Sequence, residues 1–370
     1  MSDKYCLATA IGSLPHKDVN RACRIILENL PDAPIWPQLA KRSFKENMYV
    51  QYSENLPCVV LDEQAERVFF ETTKDVEQEL ERFYQRYIDQ DIDYFKISRD
   101  HAAGFYLILE ELKERKTRFV KGHLTGPISF GLTVTDEHKK SIIYNEQIFD
   151  CVVKGLAMKA LWQISKFKIL NRPSIIFLDE PYLAAFGSSY ISLGKDDVIK
   201  PLNETIDIIK DYEDVLVGIH CCANTDWSML METKADIISF DAYGFIDNLA
   251  LYPDDLTAFL KRGGILAWGI VPSGEEVMKE DCGSLVKRFE AGLELLSGRG
   301  VQRELLLKNL FITPSCGTGS LLEEVAERAF SLTLELTNQI RKEKQGRNDS
   351  FGNNSVSLNI TGMKKYLVFA

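Results

Sequence analysis

The stretch VLVGIHCC (215–222) ends in a histidine and two adjacent cysteines, in a chain with five histidines and eight cysteines. On a strand, side chains two apart point the same way. His220 and Cys222 therefore share one side, and Cys221 faces the other. Imidazole and thiolate are the donors zinc prefers, normally four of them in a tetrahedron. Two further stretches supply the missing types: DIISFDAYG (236–244) offers Asp241, and LFITPSCG (310–317) offers Cys316. The predicted metal set is His220, Cys222, Asp241 and Cys316, with Zn2+ as the ion.

Other chemistry-bearing residues sit at the ends of other apolar runs. SIIFLDEP (174–181) carries two consecutive carboxylates, which project to opposite sides if the strand continues. Asp179 is the one expected to face the site, where it would bind the ammonium group of an amino-acid substrate or pair with a neighbouring Lys or Arg. IGSLP, with Ser13, and LTGPIS, with Thr125, are Gly-Pro turns whose exposed N–H groups suit a carboxylate or phosphate. His123, Tyr182 and Trp268 are candidates for the pocket wall and equally for packing. His16 would either reach the site or cap the first helix. Ser98 and Arg99 end the run DYFKIS (93–98) and its following turn.

These residues need elements to carry them. Eight apolar runs recur: 6–15, 93–98, 119–127, 174–181, 215–222, 236–244, 264–272 and 310–317. Most lack polar alternation, as strands buried on both faces do. Stretches with helical spacing separate them, among them 17–30, 75–89, 145–167, 198–212, 283–298 and 321–340. Eight strand–helix units predict an α/β fold, a (β/α)8 TIM barrel spanning 1–345 as one domain, with the polar rim at the C-terminal strand ends. No GxGxxG comes after the first strand. Residues 33–72 break the pattern and read as an insertion with its own hairpin. The tail 346–370 is polar and Gly/Asn-rich at first, and is expected to lie outside the barrel or be partly disordered.

The chain has 370 residues and a net charge of −10, which disfavours nucleic acid and anionic membrane surfaces. Neither a signal peptide nor a membrane span is read from the sequence, and irregularly spaced cysteines suit a reducing cytoplasm.

Taken together, AIGSLP (10–15), KGHLTGPIS (121–129), FLDEPYL (177–183), GIHCC (218–222), DIISFDA (236–242) and TPSCG (313–317) resemble a known family. The chain is similar to the catalytic C-terminal barrel of cobalamin-independent methionine synthase, in the superfamily that includes uroporphyrinogen decarboxylase and corrinoid-dependent methyltransferases. The pieces occur in the family's order over about residues 5–343. The resemblance implies zinc on His220, Cys222, Asp241 and Cys316. It also implies a homocysteine-like site, with the Ser13 backbone on the carboxylate and Asp179 on the amino group. The implied activity is methyl transfer to a zinc-bound thiol, a step of methionine biosynthesis. Asp241 stands where the family carries the longer Glu. Arg99 stands near a family acidic residue and would favour an anionic group. The chain is more like short single-barrel members, so the expected donor is methylcobalamin, free or on a corrinoid protein. Three other readings share these residues: transfer to a coenzyme-M-like thiol, a uroporphyrinogen-type decarboxylase, and a non-enzymatic zinc- or corrinoid-binding module.

Overall fold

The structure, a computed structural model, describes residues 6–188, 191–212, 215–308 and 310–350. Among the described residues ten strands occur in chain order: β1 (Cys6–Ala8), β2 (Val59–Asp62), β3 (Arg67–Phe70), β4 (Val120–Thr125), β5 (Thr135–Asp136), β6 (Ser174–Asp179), β7 (Val215–Cys221), β8 (Ile237–Phe240), β9 (Ile265–Val271) and β10 (Leu310–Pro314). Seven make one curled parallel sheet in the order β1-β10-β9-β8-β7-β6-β4. The other three form a small sheet, in which β2 and β3 are an antiparallel hairpin and β5 lies parallel to β3. Long helices, including Glu146–Phe167, Lys195–Tyr212, Cys282–Gly298 and Glu323–Ser350, separate or follow the strands of the main sheet.

The closed eight-stranded TIM barrel expected from the sequence is not what forms. The main sheet has seven strands and is open between β1 and β4. DYFKIS makes turns instead of a strand: Asp91 accepts from the Tyr94 N–H at 3.2 Å, and the Phe95 N–H donates to the Ile92 carbonyl at 3.1 Å. A local aspartate turn has outcompeted the ladder. Phe95 and Ile97 are buried all the same, which is why the run read as a strand. The gap is spanned instead by 33–38, which touches both edges through single bridges, Ser13 with Gln38 and Ile35 with Lys121. Pro34 and Pro37 have no N–H to give, so no continuous ladder develops there.

Register decides which side chains meet. Thr125, Asp179, His220, Ser239, Ala267, Phe311 and Leu7 pair successively across the sheet and so lie in one row on one face. Leu7, Ile175, Phe177, Ile237, Ile265, Ala267 and Phe311 form a separate apolar cluster on that inner face. The opposite face, with Ile176, Ile219, Cys221, Phe240 and Trp268, belongs to the large core shared with the helices. The sequence insertion 33–72 contains the β2–β3 hairpin. Of the tail from 346, residues up to Ser350 continue the last helix, and 351–370 lie outside the described residues. Among the described residues no helix is long and apolar enough to cross a membrane.

Candidate metal centre

The inner face turns polar where its strands end. His220 is the penultimate residue of β7, and Cys222 comes directly after the strand. Cys316 arrives from β10, whose register slips between Thr313 and Pro314. Such a bulge bends a strand and re-aims the residues beyond it. The Ser273 hydroxyl then clamps the turn, accepting from the Cys316 N–H and donating to the Cys316 carbonyl, both at 2.9 Å. One ligand atom from each of His220, Cys222 and Cys316 lies within 4.8 Å of the others. Strand ends far apart in sequence thus form one group.

The donor chemistry fits a metal. His220 Nδ1 lies 3.0 Å from the Ser239 hydroxyl, its neighbour in register on β8. Nε2 is buried without a partner. An imidazole fixed at one nitrogen and bare at the other is the usual state of a metal-binding histidine. The two cysteines act on each other: Cys316, with help from His220, pushes Cys222 well below its ordinary pKa, and Cys222 pushes Cys316 up.

Asp241, the fourth residue of the expected set, lies outside this group of three. Its Oδ1 accepts from the Gly244 N–H at 2.7 Å and caps the helix Ala242–Leu249. The side chain is short, and the N-terminal N–H groups of that helix claim it. Its charge still acts on the site: Cys222 and His220 are among the groups that shift its pKa, which burial raises.

Asp179 lies in the same row as His220. Its Oδ1 is buried without a hydrogen bond, and burial pushes its pKa up to about 6 against the pull of His220 and Lys121. Glu180, next in sequence, points elsewhere. It accepts from the Ile128 and Ser129 N–H groups at 3.0 and 2.6 Å, at the start of the helix Pro127–Thr133. Of the two adjacent carboxylates, one faces the site and one caps a helix.

The remaining candidates divide. Ser13 sits beside the Cys316 turn: its carbonyl accepts from the Thr318 N–H at 3.0 Å and its hydroxyl from the Gly319 N–H at 3.2 Å. His123 is on the inner face of β4 beneath Thr125, whose hydroxyl donates to the Met48 carbonyl. Trp268 packs against Phe240 and Phe289 on the helix side of β9, away from the metal group. Arg99 is exposed and stacks over the Tyr106 ring at 4.7 Å. Ser98 bonds His101 in the same turn. Tyr182 is exposed, with its N–H donating to Ser129.

His16 belongs to a second group, with Glu323 and Glu327, whose ligand atoms also lie within 4.8 Å. Arg21 already pairs with both glutamates. The carboxylates also flank the start of the helix Glu323–Ser350, where the macrodipole is positive and a cation is disfavoured. This is an ion-pair network tying the β1 loop to the last helix.

Three supporting residues escaped the sequence reading. Ser239 and Lys121 each stand two residues before a flagged one, Asp241 and His123, so the period of a strand would have found them. Ser273 has no signal in sequence, because its role exists only once β9 and β10 lie side by side. No family model matches the chain, and no curated protein matches it.

Proposed function

We propose that the chain is a zinc-dependent methyltransferase, moving a methyl group from a methylcorrinoid donor to the thiol of a homocysteine-like acceptor. The observation that carries this reading is the convergence of His220, Cys222 and Cys316. Two thiolates and an imidazole make a set that zinc favours and that leaves a position for an incoming ligand. Zinc bound there would supply the charge that keeps an acceptor thiol ionised at neutral pH.

The chain's own residues do the rest. His220, Cys222 and Cys316 hold the ion; Ser239 and Ser273 fix the angle of the imidazole and the Cys316 turn. Asp179, with an unpartnered Oδ1 in the row of His220, binds the acceptor's ammonium group. The backbone at Ser13, next to the Cys316 turn, receives its carboxylate. The acceptor sulfur then forms its bond to the methyl carbon as the donor's carbon–metal bond breaks, and the thiol proton leaves to solvent. The donor is free methylcobalamin or a corrinoid protein.

The test is methyl transfer from methylcobalamin to homocysteine and to 2-mercaptoethanesulfonate by zinc-loaded protein. Transfer to homocysteine that disappears in Cys222→Ser is expected. A zinc-loaded, folded protein that methylates neither thiol would sink the proposal.

A further inference from the structure

The inner face carries a buried group that this reaction leaves unused. His123 is fully enclosed, and neither of its ring nitrogens has a hydrogen-bond partner. Its backbone is firmly held: the His123 carbonyl accepts from the Tyr52 hydroxyl at 2.9 Å and the Gln163 amide at 3.0 Å. Its ring stacks on Trp36, with centroids 4.1 Å apart. A Cβ placed on Gly12 would fall 2.7 Å from Nε2, so that nitrogen abuts the backbone next to Ser13. Lys121, one step deeper on the same face, sends its ammonium to the Ile11 carbonyl at 2.8 Å. Three features thus converge on residues 11–13: a buried ammonium, an unpartnered imidazole and a turn.

Buried polar atoms without partners cost stability and call for an explanation. Both nitrogens are buried without a protein partner, so a group that satisfies them must bring its own polar atom. The Lys121 amine is the basic group beside this turn, and the Asp179 carboxyl lies on the neighbouring strand β6. We infer that His123 is a specificity-determining residue of the acceptor site, donating a hydrogen bond to an anionic group of the acceptor at the Gly12–Ser13 backbone. This rests on the thiol-acceptor reading above. The recognised chemistry is a carboxylate or a sulfonate.

Binding of thioethers tests this without metal or methyl donor. Full-length protein is titrated with methionine, with 2-(methylsulfanyl)ethanesulfonate, and with 3-(methylsulfanyl)propan-1-amine, which lacks the anion. The wild type should bind one anionic thioether about tenfold tighter than the amine, the size expected of one such hydrogen bond. Whichever anion wins identifies the source. His123→Met should erase that preference, leave the affinity for the amine unchanged, and unfold at an equal or higher temperature, since an unpaired polar group has gone. His123→Gln, which keeps a donor, should retain the preference. The inference is overturned if the wild type shows no preference, if His123→Met keeps it, or if His123→Met weakens all three ligands equally and melts lower. None of these outcomes depends on zinc or turnover, so each stands apart from failure of the methyltransferase reading.

Discussion

His220 and Asp241 are both polar residues at strand ends, yet their surroundings give them different work. Ser239 occupies one imidazole nitrogen and leaves the other bare, whereas the Gly244 N–H occupies the Asp241 carboxylate. Ser239→Ala should therefore lower metal affinity about ten- to hundredfold, the usual effect of removing an outer hydrogen bond, as read by chelator competition. Asp241→Asn keeps a capping oxygen and should change metal affinity less than Ser239→Ala does. A loss as deep as that of Cys222→Ser would place Asp241 among the ligands after all. The difference was not visible in sequence, because an aspartate three residues before a glycine reads equally as ligand or cap. The H-x-C pair was visible, because strand alternation puts both side chains on one face whatever surrounds them.

Elements set these positions, and they were legible to different degrees. Runs such as SIIFLDEP and VLVGIHCC announced strands because nothing local competes with the ladder. DYFKIS failed because Asp91 offers its neighbours a turn. The missing edge contact came from 33–38, in a stretch that read as an insertion, because two prolines prevent it from looking or pairing like a strand. The connection from β4 into the helix Pro127–Thr133 shows how tightly an element can be specified. A Cβ on Gly126 would lie 2.2 Å from the Glu180 carboxylate that caps this helix. Gly126→Ala should therefore force that carboxylate off its N–H partners and destabilise the protein by about 1–3 kcal/mol, measured by urea unfolding. An unchanged midpoint would show that Glu180 can shift without cost.

At the scale of the whole molecule, buried charge sets the pH dependence of stability. Lys159, in the middle of the helix Glu146–Phe167, is fully buried with its ammonium on the Glu54 carbonyl. Burial pushes its pKa down from 10.5 to about 8, against the pull of Glu54. Between these values the unfolded chain binds more protons than the folded one, so stability rises with pH across that window. The penalty is complete below about pH 8 and gone above 10.5, on the order of 3 kcal/mol in all. Lys159→Met should stabilise the protein at pH 7 and flatten its gain in stability between pH 8 and 10.5; a parallel pH profile would contradict this. A different long-range feature is that β7 and β10 bring Cys222 and Cys316 together beside His220, where we propose that one ion binds. Zinc K-edge absorption on protein purified without chelator measures this directly. One zinc per chain is predicted, with two sulfurs at about 2.3 Å and at least one imidazole nitrogen, and one sulfur lost in Cys222→Ser or in Cys316→Ser. A folded protein that binds no zinc, or binds it without sulfur, would contradict the account.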